Sequence, residues 1–208
     1  MLIDLHTHTY HLSSCSSLSL ADLIYRSREA GLDGICVTEH DRMWDRHELA
    51  RIAQETGFLL LPGVEITTTQ GHVLVYGLNE YVEDLWNLRR LREVADACGA
   101  VLVKSHPLRD GNFQARPDGR VANGLEETLR LFDAFEVLSG GESEWSNTLA
   151  KAIAESYGLK ATGGSDVHAL SEVGRFATRF ERQIGSEADL VKELRAGRFT
   201  AVDLRPKR

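Results

Sequence analysis

The 208-residue chain is 42% hydrophobic and 26% charged, ordinary values for a globular protein that buries its core as one domain over residues 1–208. A net charge of −7 and an isoelectric point near 5.6 argue against a protein that grips long nucleic acid through a basic surface. No apolar run approaches about 18 residues, no leader pattern is visible, and Cys15, Cys36 and Cys98 lack paired spacing, so the expectation is a reduced cytoplasmic protein without a membrane partner.

The first predicted strand, residues 2–6, runs into Ile3-Asp4-Leu5-His6-Thr7-His8, and strand alternation puts His6 and His8 on one face. Ser19 is positioned to cap a helix that carries Leu20, Leu23, Ile24 and Ser27 on one side and ends near Gly31. A strand over 33–38 leads into Glu39-His40-Asp41, and a helix follows over 46–56. Strands over 58–64 and 72–78 bring Glu65 to the end of one and His72 to the start of the other. After a helix over 83–98, the strand 100–105 ends in Ser105-His106-Pro107. The turn-rich stretch 109–124 comes directly after it and is predicted to be a loop covering the substrate. Next come a helix over 125–132, a strand over 134–138, a helix over 143–157 and a strand over 160–162, shortly before Asp166-Val167-His168. A helix over 186–196 and a strand over 198–203 complete the series, and Gly57, Gly99, Gly158 and Gly197 fall where helix C-caps belong.

Repeated strand–helix order predicts a mostly parallel sheet with helices outside. A closed or distorted barrel brings all its strand ends to one mouth, as the spread of candidate residues requires. Six histidines (6, 8, 40, 72, 106 and 168) with Glu65 and Asp166 exceed the needs of one tetrahedral ion, so two or three ions are expected. Nitrogen and oxygen donors without thiolate pairs suit zinc, manganese or iron. The two oxygens of Glu65 can bridge two ions, which an imidazole cannot do. His11 and His47 lack strand-end placement and read as surface or supporting residues.

These stretches resemble the PHP family, named for its polymerase-associated and histidinol-phosphatase members. They are Asp4-Leu5-His6-Thr7-His8-Thr9, Gly31 to Asp41, Pro62-Gly63-Val64-Glu65-Ile66, Ser105-His106-Pro107 and Gly163-Gly164-Ser165-Asp166-Val167-His168. The resemblance implies an α/β fold, a distorted (β/α)7 barrel of the PHP type with its metal site at the C-terminal mouth. It implies one ion on His6, His8, Glu65 and Asp166, and a second on Glu65, His106 and His72, with Asn79 near an alternative position for the last. A third would take His40 and His168 plus a residue from the loop after the first strand. That loop residue is usually Asp or His in the family. Here alignment points to Cys15, with Ser14 and His11 as alternatives. The family's Thr-Asp-His is Thr38-Glu39-His40 in this chain, and Glu39 can orient its neighbour from behind.

The implied activity is hydrolysis of a small phosphorylated substrate, a phosphomonoester, nucleotide or short oligonucleotide, by an activated hydroxide. Asp166 and His168 are the candidates for proton transfer. Arg109 and Arg175 come soon after ligand segments and could clamp phosphate oxygens, with Arg116 and Arg120 weaker candidates. Lys104 lies next to the ligand strand's end and reads as a structural salt bridge. Two other readings stand beside this one: an amidohydrolase-like enzyme cleaving carbon–nitrogen bonds, and a noncatalytic metal-binding PHP module.

Overall fold

The structure, a computed structural model, describes residues 1–109, 114–122 and 124–206. In chain order its elements are β1 (Leu2–Thr7), α1 (Leu20–Glu29), β2 (Gly34–Val37), α2 (Arg46–Thr56), β3 (Leu59–Pro62), β4 (Val64–Thr68) and β5 (Gly71–Tyr76). Then come α3 (Leu88–Cys98), β6 (Val101–Lys104), α4 (Leu125–Leu129), β7 (Ala134–Ser139), α5 (Glu144–Tyr157), β8 (Lys160–Gly164), β9 (Phe176–Phe180), α6 (Glu187–Ala196) and β10 (Phe199–Asp203).

Helix ends obey local chemistry. Ser19 Oγ accepts from the Asp22 amide at 3.0 Å, and Asp45 Oδ1 accepts from the Glu48 amide at 2.8 Å. Gly57, Gly99, Gly158 and Gly197 close their helices in the left-handed conformation, as their positions predict. The helix expected over 83–98 starts only at Leu88, because Asp84 sits at φ 73° and Asn87 is the residue that caps α3. The helix expected to reach residue 132 stops at Leu129.

The strands form two five-stranded mixed sheets, ordered β10-β9-β1-β2-β3 and β4-β5-β6-β7-β8. Among the described residues four strand pairings are parallel and four antiparallel, which corrects the expected mostly parallel sheet. The run 58–64 is two strands, not one. The chain changes sheet at Gly63, where a Cβ would lie 2.9 Å from Thr38 Cγ2 and 3.0 Å from Tyr76 Cε1. Strand β5 is antiparallel to both neighbours, and β9, which sequence patterning missed, is antiparallel to β1 and β10. Among the described residues the ladders do not close into a ring. The sheets meet instead through isolated parallel bridges, Thr7 with Val167 and His40 with Glu65. Amides of the seams bond across them: His8 N to Val167 O at 3.2 Å and Glu65 N to Glu39 O at 3.0 Å.

Three apolar clusters hold this frame. Ile3, Leu5, Leu74, Tyr76, Val101 and Val103 pack strands of both sheets together, with Leu190 and Leu194 of α6 against them. Leu23, Ile24 and Leu49 bring α1 and α2 onto the first sheet, while Leu91, Leu149 and Ile153 bring α3 and α5 onto the second. Burying such side chains contributes about 1.5–3 kcal/mol each. No helix among the described residues is long and apolar enough to cross a membrane.

The expected substrate-covering loop falls partly on residues 110–113 and 123, outside the described residues. Its described part, 114–122, is a small hairpin bridged at Ala115 and Val121. Residues 114–122 bond to α5, where Ser156 Oγ donates to Asp118 O at 3.2 Å and Tyr157 Oη accepts from the Val121 amide at 3.3 Å, while Arg109 at the start of the stretch turns to Asp166.

Candidate metal centre

The fold collects the candidate donors at one end. His6 and His8 lie on and just after β1, His40 comes after β2, Glu65 is in β4, His106 comes after β6, and Asp166 and His168 come after β8. His72 comes from the start of β5, and because β5 runs antiparallel its first turn reaches the same end as the other strands' last residues. The pair expected on one face is there: His6 Nε2 and His8 Nε2 are 3.1 Å apart.

Glu65 is the hub. Its Oε2 lies 3.2 Å from His6 Nε2, 3.3 Å from His8 Nε2 and 3.2 Å from His40 Nδ1. Its Oε1 lies 2.9 Å from His106 Nε2 and 3.2 Å from His72 Nδ1. Asp166 Oδ1 is 3.3 Å from His6 Nε2 and 3.4 Å from His8 Nε2. Three groups of donor atoms each fall within 4.8 Å: His6, His8, Glu65 and Asp166; His40, Glu65 and His72; and His8, His40 and His168. The first is the set implied for one ion. In the second, His40 stands with Glu65 and His72, and His106 meets Glu65 alongside. In the third, His8 takes the place expected of a loop residue. Cys15 is exposed and lies outside all three groups. Partial burial, offset by its own backbone and reinforced by the nearby carboxylates, raises its thiol above the ordinary value.

The donors fit divalent ions. Glu65 Oε2, Asp166 Oδ1 and His72 Nδ1, atoms that face the centre, are buried without a hydrogen-bond partner. An uncompensated buried polar atom costs about 1–3 kcal/mol, so three at one hub fit a place that takes cations. Burial works against charge on His6 and His8, yet the carboxylates around them raise both. Burial opposes ionisation of Glu65, yet His6 and the surrounding imidazole hydrogen bonds hold it well below the usual carboxylate range. Asp166 behaves likewise, through His6, His8 and Arg109. Burial, opposed by Glu65 and reinforced by His8 and His72, pushes His40 down to about 4, leaving it neutral at pH 7 as a ligand must be.

Residues behind the donors hold them in place. Glu136 of β7 is a lone acid in an apolar strand. That pattern was available in Ala134-Phe135-Glu136-Val137-Leu138, but sequence reasoning passed over it. Its Oε1 lies 3.0 Å from His6 Nδ1, and its Oε2 accepts from the His106 amide at 2.9 Å. Glu136 therefore fixes the His6 ring, with Nδ1 toward this acid and Nε2 toward Glu65. Lys104 is fully buried and donates to His72 O at 2.9 Å and Ser105 O at 3.0 Å. Asp4 accepts from the amides of His6 and Ser165, at 3.1 and 2.9 Å. Glu39 turns away from His40 and binds the Thr9 amide and the Trp44 indole N–H, bracing the loop after β1. His106 and Asp166 have φ of 23° and 49°, strained backbone at two donors.

Arg109 reaches the centre: its Nη2 is 2.5 Å from Asp166 Oδ2 and its Nε 3.2 Å from Glu142 Oε1. Arg175 reaches Gly140 O at 3.4 Å. His168 Nδ1 donates to Asp166 O at 2.9 Å, which leaves Nε2 bare. His11 stacks on Tyr10 in the loop after β1.

An α/β frame that gathers its strand ends and turns around the carboxylates of Glu65 and Asp166 and six imidazoles defines the class: a candidate metal centre on two mixed sheets. The PHP domain model matches residues 4–117, and the PHP-associated model matches residues 144–199. The chain belongs to the PHP family. No curated protein matches it in sequence. Among solved structures it is similar to PsfC from Pseudomonas syringae, at 21% identity over 97% of this chain and 91% of that one, TM-score 0.70. It is similar to a two-domain protein from Bacteroides vulgatus containing a predicted PHP-like metal-dependent phosphoesterase, at 22% identity over 98% of this chain and 64% of that one, TM-score 0.64. It is also similar to an amidohydrolase from Chromobacterium violaceum solved with bound sulfate and no metal, at 17% identity over 98% of each chain, TM-score 0.64. At these identities the likeness speaks to the fold alone.

Proposed function

We propose that this protein is a metal-dependent phosphoesterase that hydrolyses a small phosphorylated substrate, a phosphomonoester, nucleotide or short oligonucleotide. The observation that carries this reading is the contact of one buried carboxylate, Glu65, with five imidazoles, three on Oε2 and two on Oε1. That arrangement suits a bridge between ions. On this reading His6, His8, Glu65 and Asp166 hold one ion. Glu65, His72 and His106 hold a second, and His40 and His168 a third, with His8 in place of the loop ligand. When bound, divalent zinc, manganese or iron supplies Lewis acidity to phosphoryl oxygens and makes water acidic enough to deprotonate near neutral pH.

The chain's own groups do the rest. Water replaces the ester oxygen on phosphorus, and the departing alkoxide takes a proton. His168 would carry the proton only where no third ion occupies its Nε2: its Nδ1–H is committed to Asp166 O, and its ring is partly exposed. Asp166 orients that ring through its carbonyl while its carboxylate faces His6 and His8. Arg109 holds Asp166 and leaves further N–H groups for a phosphate oxygen. Arg175, farther round the rim against Gly140, is a second clamp. Two sheets bridged at the site end suffice for this, and we take them as a distorted barrel whose hydrogen bonding is interrupted at the two seams. The free cysteines fit a cytoplasmic setting.

The test is a panel of phosphomonoesters, phosphodiesters and short oligonucleotides with each metal supplied. Turnover that vanishes in His6→Ala and Asp166→Ala together with bound metal supports the reading. Metal bound in full with no phosphoester turned over sinks it.

A further inference from the structure

A cleft of about 600 Å³ opens between the loop after β1 and the start of α2, and the candidate metal donors are not among its lining residues. Its volume falls in the range of small-molecule sites, about 300–1,000 Å³. Tyr10, His11 and Trp44 supply aromatic walls, and Leu12, Leu20 and Ile52 apolar ones. Tyr10 and His11 stack with ring centroids 4.3 Å apart, and His11 meets Trp44 edge-on at 5.4 Å. Tyr10 is 52% exposed, a large ring left in water two residues after His8. The polar lining includes Asp45 and Glu48 and no lysine or arginine. Phosphate therefore does not belong here; a neutral or donor-bearing group does.

The cleft is tied to the centre by its own walls. The Trp44 indole donates to Glu39 Oε1 at 2.9 Å, and Glu39 accepts the Thr9 amide, next to His8, at 3.1 Å. On the other side of the loop, the His40 amide donates to Ser13 Oγ at 3.1 Å. One loop, residues 9–16, thus borders both the donor cluster and the cleft.

We propose that this cleft is the leaving-group subsite, and that it takes a planar aromatic group bearing hydrogen-bond donors, such as the base of a nucleoside. The rings of Tyr10 and His11 offer stacking faces, and the Glu48 carboxylate accepts from exocyclic N–H groups. The leaving-group role rests on the phosphoesterase reading, with the phosphoryl group at the Glu65 centre; ring binding itself does not.

The test separates the two. Adenosine, which carries no phosphate, is titrated into the full chain while the Trp44 indole N–H resonance is monitored. In parallel, kcat/KM is compared for adenosine 5′-monophosphate and ribose 5-phosphate. We expect adenosine to shift the Trp44 signal, Tyr10→Ala to weaken it roughly tenfold and Tyr10→Phe to restore it, with the nucleotide preferred over the sugar phosphate in the same proportion. Phosphoester turnover with no Trp44 shift and no preference for the nucleotide overturns the subsite and leaves the phosphoesterase reading standing. A Trp44 shift with no phosphoester turned over overturns the leaving-group role along with that reading.

Discussion

Glu136 Oε1 lies 3.0 Å from His6 Nδ1, while the other oxygen of the same carboxylate takes the backbone N–H of His106. One acid from β7 thus fixes the ring of the first donor and the strained backbone of another, on opposite sides of Glu65. Gln at this position has one acceptor and one donor, so it satisfies only one of the two N–H groups. Glu136→Gln is expected to lower metal affinity by about 10- to 100-fold. Titration calorimetry against a competing chelator measures this, and an affinity equal to wild type would remove Glu136 from the centre.

Lys104 makes a second such link. Its ammonium spans the carbonyls of His72 and Ser105, joining the antiparallel strand that delivers one imidazole to the strand that delivers His106. Lys104→Met leaves both carbonyls without this donor, at about 1–3 kcal/mol. We expect one equivalent of metal to be lost before the other, with partial recovery in Lys104→Arg. Metal analysis of the purified variants reads the stoichiometry directly.

Removing metal should destabilise the fold. A ligand bound at 100 times its Kd adds about 2.7 kcal/mol, and the donors come from both sheets. Chelator is expected to lower Tm, added zinc or manganese to restore it in a concentration-dependent way, and His6→Ala to blunt that response. A Tm indifferent to chelator and metal in the wild-type protein would argue against a site that spans the seam.

Gly164 separates site effects from ordinary backbone strain. A Cβ there would lie 2.5 Å from His6 Cβ and 2.6 Å from Glu136 Oε1. Gly158, at φ 63°, has no atom within 4 Å of such a Cβ. Both alanine variants should lose about 1 kcal/mol or more, but only Gly164→Ala should lose metal affinity and activity. Equal metal binding in the two would break the argument.

Asp4 sets a pH dependence in the metal-free protein. Burial raises its carboxyl from 3.8 to about 7, against the hydrogen bonds from Ser165 and His6 that favour the anion. The folded state keeps this proton to higher pH than the unfolded state. Its contribution is therefore full below about 3.8 and is lost as pH rises toward about 7. The loss is on the order of 4 kcal/mol. In chelator, Asp4→Asn should flatten the fall of Tm across that window; an unchanged slope would assign the pH dependence to other groups.

The candidate donors of the centre were legible in the sequence, because strand alternation and strand-end placement are local properties. They picked out His6, His8, His40, Glu65, His72, His106, Asp166 and His168, all of which the fold brings together. Helix caps at Ser19, Gly57 and Gly158 were equally local. What tertiary structure alone decided was long-range pairing. Gly63 breaks an apolar run because Thr38 and Tyr76 crowd it. The short β9 strand forms because β1 and β10 offer edges on both sides of it, and His72 arrives from an antiparallel strand. Glu136 was passed over in the sequence, and only the place of β7 behind His6 gives it a role. Periodicity records which face of an element is apolar; it holds no record of which strand lies beside which, and the partnership of donors with the residues that hold them depends on that.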